Sequence, residues 1–234
     1  MWNRRRSIQT SGALRYSTDR HSHILYGVDD GISSPQESLE ALAFEEAIGV
    51  RKVWCTPHIM EEVPNGTQQL KDRFEQLKAI YHGPVEMDLA AEYMIDRLFL
   101  ERLNKGDILT MEENMVLVET SSAGAPYGFE EILAHLLTVG YRPLLAHPER
   151  YAYLQMPDCK RIRKMGVLFQ LNIASLTGIY GKEARIRAES FLKEGMYFAY
   201  GSDCHSAEAM KHQYSEKEIS RDVIRRISTL EDNI

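Results

Sequence analysis

The chain has 234 residues, 44% of them hydrophobic and 26% charged, which suits a globular protein of one to two domains at about 150 residues each. Lysine and arginine total 28 against 34 acidic residues, and the formal charge of −6 disfavours a partner whose phosphates must be neutralised, so nucleic acid is not expected. No window offers the roughly 18 to 20 uninterrupted apolar residues of a membrane span, and the N-terminus lacks the apolar stretch of a secretory signal.

Cys55, Cys159 and Cys204 form an odd set without CxxC spacing, which fits a reducing compartment, and a cytoplasmic protein is expected. Residues 1–19, with the triplet Arg4, Arg5 and Arg6, read as an N-terminal extension; such a run is more often a solvated tail than a membrane contact. A weakly marked strand leads to His21. Ser34-Pro35-Gln36-Glu37 opens a helix with a cap, a first-turn proline and a capping-box glutamate, and Gly49 ends it. Val50 to Thr56 is a strand that stops at Pro57, because proline cannot donate to a sheet ladder, with His58 just beyond. The spacing Leu70, Phe74, Leu77, Ile80 predicts a helix from Thr67 that closes at Gly83-Pro84.

Val85 to Ala91 follows as a strand, then a short helix around Asp96 to Leu103, and the strand Met115 to Val118 with Glu119 directly after it. Phe129 to Val139 is helical, Leu144 to Ala146 is a buried strand running into His147-Pro148-Glu149-Arg150, and Pro157 to Met165 is a helix. The strand Val167 to Ile173, the helix Lys182 to Glu194 and the strand Met196 to Gly201 lead into Ser202-Asp203-Cys204-His205. Residues 207–234 read as a helical tail. This alternation of about seven strands with helices predicts a parallel sheet. The expected fold is α/β, a single distorted (β/α)7 barrel of the TIM type over residues 20–206, favoured over an open doubly wound sheet because metal-competent residues recur after almost every strand.

Those residues are His21, His23, His58, Glu92, Glu119, His147, Asp203 and His205. A strand-end histidine or glutamate alone is more often a hydrogen-bonded structural group; eight in phase, in a fold that gathers strand ends at one mouth, point to a metal centre. His21 and His23, two apart on an extended segment, face the same side and can hold one ion. Asp30 either turns the chain or adds a ligand. Five imidazoles with several carboxylates and no convergent thiolate suit Mn²⁺, Fe or Zn²⁺, and the surplus of ligands implies two or three ions. Such a centre favours hydrolysis of a phosphate ester, and Arg150 supplies either a fork for phosphate or a rim salt bridge. His82, His135 and His212 lie on predicted helices, at their ends or in the tail and are assigned no chemistry. Cys204 reads as inert, and a Cys-x5-Arg phosphate loop is absent, since those positions hold Glu61, Met165 and Met210.

The segments HSHILYGVDDG (21–31), TPH (56–58), AAEY (90–93), LVET (117–120), AHPERY (146–151), QLNIASLTGIYG (170–181) and GSDCH (201–205) resemble the polymerase and histidinol phosphatase (PHP) superfamily. Within it they are similar to the bacterial manganese-dependent protein-tyrosine phosphatases of the CpsB/CapC capsular polysaccharide type. The resemblance implies a trinuclear site: one ion on His21, His23, Glu92 and Asp203, a second on Glu92, Glu119 and His147, a third on Asp30, His58 and His205. It further implies phosphotyrosine hydrolysis by a metal-bridging hydroxide, with Arg150 on the phosphate and Arg150, Glu92 and His58 as the catalytic group. The partner it implies is the tyrosine-rich C-terminal tail of a bacterial kinase that controls capsule or exopolysaccharide synthesis; it leaves room for a homo-oligomer. Tyr26, Arg20 and Ser206-Ala207-Glu208 depart from the pattern of many members, which bears on the substrate rim. A histidinol-phosphate-type esterase and a non-catalytic metal-stabilised docking module are the competing readings. An amidohydrolase is disfavoured, because carboxylates hold the positions where that class wants a bridging lysine.

Overall fold

Ser34 caps its helix as its sequence requires, its Oγ accepting from the Glu37 amide at 3.2 Å, but Glu37 does not close the capping box. Its carboxylate instead accepts the Ala207 amide at 3.2 Å and so ties this helix to the C-terminal part of the chain. The computed structural model describes residues 5–230; Arg4 of the basic triplet and residues 231–234 of the tail lie outside that range. In chain order the elements are β1 (Arg6–Ser7), α1 (Ile8–Ser11), β2 (Thr18–Ser22), α2 (Pro35–Ile48), β3 (Lys52–Cys55), β4 (His58–Ile59) and α3 (Thr67–Ile80). Then come β5 (Glu86–Leu89), β6 (Glu92–Met94), α4 (Arg97–Lys105), β7 (Met115–Glu119), α5 (Phe129–Thr138), β8 (Arg142–Ala146) and α6 (Met156–Lys164). The chain continues with β9 (Leu168–Asn172), α7 (Gly181–Lys193), β10 (Ala199–Gly201), α8 (Ala207–Glu216), β11 (Glu218–Ile219) and α9 (Arg221–Ser228).

The α/β alternation is as the sequence predicts, and the strands from β2 to β10 are parallel, but they form two sheets rather than one. One has the order β2-β3-β5 and the other β10-β9-β8-β7-β6-β4. The break has a local cause. Pro57 stops β3, and pairing resumes at once as β4, so His58 opens a second short strand instead of lying beyond the ladder; Ala90-Ala91 separate β5 from β6 in the same way. Backbone bonds from Ala90 N to Cys55 O (2.9 Å) and from Glu92 N to Pro57 O (3.1 Å) carry the contact across the break. At the other side, a parallel bridge joins Ser22 to Cys204, and the His23 amide donates to Cys204 O at 3.1 Å. The sheets therefore curl, with the ends of β2 and β10 side by side.

Strand periodicity divides the core. Met115, Leu117 and Glu119 alternate with Val116 and Val118, so the two sets face opposite sides of β7. Val116 and Val118 join the main core under the helices, whereas Met115 and Leu117 pack with Trp54, Met111, Leu144 and Ala146 in a smaller cluster on the inner face. Glu119 continues that inner row to its carboxyl end. Arg20, where an apolar residue is expected, is buried, ion-paired to Glu112 and placed 5.8 Å over the Phe198 ring. The single terminal helix expected after Ala207 is instead α8 and α9, separated by β11, which pairs antiparallel with β1. No helix among the described residues is long and apolar enough to cross a membrane.

Candidate metal centre

Each group of the cluster is delivered by a strand or by the turn that follows it. β2 carries His21, with His23 just beyond; β4 and β6 begin at His58 and Glu92; β7 ends at Glu119; β8 runs into His147; β10 runs into Asp203 and His205. Two glycines make room: a side chain at Gly31 or Gly201 would collide with His23 or His21 respectively. His147 (φ 35) and Asp203 (φ 52) adopt left-handed backbone, which costs non-glycine residues on the order of 1–3 kcal/mol and persists where the surroundings enforce it.

The structure brings all nine sequence-predicted residues together. Glu92 lies at the centre: its Oε2 is 3.1 Å from His21 Nε2, 3.3 Å from His23 Nε2 and 3.1 Å from His58 Nδ1, and its Oε1 is 3.2 Å from His147 Nε2. Asp203 Oδ1 lies 3.4 Å from both His21 Nε2 and His23 Nε2. Glu119 approaches His58 Nδ1 at 3.2 Å and His147 Nε2 at 3.8 Å. Asp30, with its side chain 71% exposed, stands at the mouth within 3.5 Å of His58 Nε2 and 3.4 Å of His205 Nε2. Three sets of potential ligand atoms each fall within 4.8 Å: His21, His23, Glu92 and Asp203; His23, Asp30, His58 and His205; and His58, Glu92 and Glu119.

Protein hydrogen bonds do not satisfy this cluster. His58 Nδ1 and Glu92 Oε2 approach closely without hydrogen-bond geometry, and both are buried without a hydrogen-bond partner among the described residues. The Nε2 atoms of His21 and His23 face each other at 3.1 Å. Buried, unpaired nitrogen and oxygen donors converging at this spacing fit a set of divalent cations. The electrostatics agree. Burial disfavours the imidazolium of His21, yet the Glu92 and Asp203 carboxylates outweigh it and raise its pKa to about 9. Burial likewise opposes ionisation of Glu92 and Asp203, but the surrounding imidazoles hold both below the ordinary carboxylate range. The pocket is thus built for positive charge.

Several positioning residues escape a reading of the sequence. Asp29 is the buried partner of His23 Nδ1 at 2.8 Å and accepts the amides of His58 (2.9 Å) and Gly31 (3.0 Å). Burial pushes its carboxyl up, but these contacts prevail and lower it to about 2. Gln170 Oε1 meets His21 Nδ1 at 3.1 Å and accepts the His147 amide at 3.2 Å, bracing two histidines from β9. Arg187 on α7 donates to the carbonyls of Pro148, Glu149, Tyr151 and Leu154, gripping the segment that carries Arg150. Nothing in its helical surroundings marks it out. His-x-His-x5-Asp spacing is the one signal that could have found Asp29.

Arg150 sits beside the cluster, its Nη1 donating to Asp203 Oδ2 at 2.9 Å. It lines a cavity of about 590 Å³ together with Met60, Met94, Glu119, His147 and Tyr151. That cavity is large enough for an aromatic side chain and opens directly onto the carboxylates and imidazoles.

A family model described as capsular polysaccharide synthesis, CpsB/CapC, matches residues 17–229. The tyrosine-protein phosphatase CpsB of Streptococcus pneumoniae is 31% identical over 207 residues, covering 82% of this chain and 84% of that protein. The tyrosine-protein phosphatase YwqE of Bacillus subtilis strain 168 is 24% identical over 205 residues, covering 85% of this chain and 81% of that protein. One solved structure aligns with a TM-score of 0.75 at 25% identity, covering 82% of this chain and 81% of its own; it comes from work on YwqE and CpsB, described there as unique metal-dependent tyrosine phosphatases.

Proposed function

The chain belongs to the CpsB/CapC capsular polysaccharide synthesis family, and from that premise we propose that it is a metal-dependent protein-tyrosine phosphatase. The observation that carries this reading is the convergence of His21, His23, His58 and His147 on the two oxygens of Glu92, beside a cavity lined by Arg150. We assign one ion to His21, His23, Glu92 and Asp203, a second to Glu92, Glu119 and His147, and a third to Asp30, His58 and His205, with Mn²⁺ the native metal. The close sets around Glu92 and around Asp30 support the first and third assignments. His58 is within reach of either of the outer two. The two curled sheets are read as one distorted barrel of seven βα units over residues 20–206, supported by the Ser22 to Cys204 bridge.

When bound, such ions acidify a water and neutralise the phosphoryl oxygens on which charge builds. The chain's own part is geometric. Arg150 grips the phosphate at the cavity wall, Glu92 and His58 act from the cluster behind Glu119 and His147, which line that cavity, and the walls formed by Met60, Met94 and Tyr151 receive the aromatic ring. The substrate is then a phosphotyrosine protein in the cytoplasm, the tail of a capsule-regulating tyrosine kinase.

The test is to strip the protein of metal, add back Mn²⁺, Fe²⁺ or Zn²⁺, and follow phosphate release from phosphotyrosine peptides, histidinol phosphate and single-stranded DNA ends against bound-metal stoichiometry. Manganese should restore hydrolysis of the peptides best, with two or three ions per chain, and Asp203→Ala or His58→Ala should abolish it while the protein stays folded. Faster turnover of histidinol phosphate, or partner control that survives these substitutions, would overturn the reading.

A further inference from the structure

Tyr180 lies in the turn that leads into α7, and its ring is stacked under the arginine: Arg150 Cζ is 4.4 Å from the ring centroid. The same guanidinium is held at one corner only, by Nη1 to Asp203 Oδ2 at 2.9 Å; its other N–H groups bond to no described residue. Asn172, at the end of β9, links the two supports, its amide donating to Asp203 Oδ2 at 2.7 Å and to the Tyr180 hydroxyl at 3.3 Å. Asp203 is divided accordingly, with Oδ1 turned to His21 and His23 and Oδ2 turned to Arg150 and Asn172.

Arg150 separates two cavities. The one of about 590 Å³ that opens on the cluster is lined by Arg150 without Tyr180, whereas the one of about 520 Å³ behind it is lined by both. A ligand seated in the cavity of about 590 Å³ therefore meets the arginine and not the tyrosine, whose other cavity contact with the cluster is a small pocket of about 150 Å³ on the far flank of Asp203, shared with His205. A free arginine side chain samples many rotamers, and ordering it on phosphate binding costs conformational entropy. An aromatic face beneath the guanidinium, with an acid at one corner, meets that cost in advance.

We propose that Tyr180 is a positioning residue for phosphate recognition: its ring, with Asn172 and Asp203, holds the Arg150 guanidinium in plane so that the unpaired edge faces the phosphate of the substrate. This rests on the phosphatase reading. It makes the aromatic ring, and not the hydroxyl, the part that matters, because Asn172 keeps its bond to Asp203 when the hydroxyl is removed.

The experiment compares Tyr180→Phe, Tyr180→Leu and Tyr180→Ala in the manganese-loaded protein, with KM and kcat for a phosphotyrosine peptide, binding of inorganic phosphate by calorimetry, and metal stoichiometry. Tyr180→Phe should stay within about two-fold of the parent, whereas the Leu and Ala variants should raise KM and weaken phosphate binding together by about 3- to 10-fold, the range expected for a cation–π contact of this exposure. Metal content and kcat should change little. In an Arg150→Met background, Tyr180→Ala should have no further effect on phosphate binding. Equal losses in the Phe and Leu variants, or an unchanged effect of Tyr180→Ala without the arginine, would overturn the proposal. If the parent protein binds phosphate but does not hydrolyse phosphotyrosine, it is the functional reading that fails.

Discussion

Asp29 and Asp30 are neighbours of the same residue type with opposite fates, and only their surroundings distinguish them. Asp30 stands at the mouth, whereas Asp29 is buried against His23 Nδ1 and two backbone amides. A carboxylate behind a ligand histidine fixes the ring orientation and the tautomer, leaving Nε2 as the atom turned to the ion. Replacing Asp29 by alanine should therefore weaken metal binding by about 10- to 100-fold, as is typical for such supporting groups. Competition with a chelator, read as metal retained per chain, checks this; retention equal to the parent would show that His23 needs no brace. The left-handed backbone at His147 and Asp203 belongs to the same scale, since both residues aim their side chains through a conformation that other side chains avoid.

At the scale of elements, the segment from His147 to Leu154 has no regular hydrogen bonding beyond one 3-10 turn (Pro148–Arg150), yet it carries a histidine of the cluster and the arginine beside it. Two devices hold it. Glu149 turns inward to accept the Asn172 amide (3.0 Å), the Ser175 hydroxyl (2.8 Å) and the Tyr197 hydroxyl (2.9 Å), and Arg187 ties its carbonyls to α7. Hydrogen bonds from a charged donor contribute about 1.5 to 3 kcal/mol, so Arg187→Leu should lower unfolding free energy by about 2 kcal/mol or more, measured by urea titration. The phosphotyrosine KM should rise with it, because the support of Arg150 slackens. A stability loss with an unchanged KM would place Arg187 in the scaffold alone.

The whole molecule holds a buried acid that the centre does not use. Glu45 on α2 is almost fully buried, neither carboxylate oxygen has a hydrogen-bond partner among the described residues, and burial together with the nearby Asp19 pushes its pKa well above the usual value. A carboxyl whose folded pKa is raised destabilises the fold as pH climbs above the unfolded value near 4.5, and the penalty is complete once pH passes the folded pKa. Glu45→Gln should therefore raise the thermal midpoint at neutral pH, by the equivalent of about 1 to 3 kcal/mol, with an advantage that shrinks on acidification towards pH 4.5. A pH-independent difference between the two proteins would refute that origin.

Much of this protein could be read from its residues one element at a time. The cap at Ser34, the faces of α3 and α5 and the inward row ending at Glu119 are local patterns, and periodicity alone places them. The recurrence of histidines and carboxylates near strand ends was equally legible, because each strand end must meet the others at one rim of a parallel sheet. What needed the tertiary structure were contacts between residues far apart in the chain. Asp29 behind His23, Gln170 between two histidines, Arg187 across four carbonyls and Tyr180 under Arg150 depend on how β9, α7 and the loops are packed, which no spacing encodes. The same holds for the sheet's division at Pro57 and Ala90-Ala91. Proline's missing amide announces the interruption, but whether pairing resumes beyond it depends on the neighbouring strand, and here Glu92 is in register to take up the ladder opposite His58.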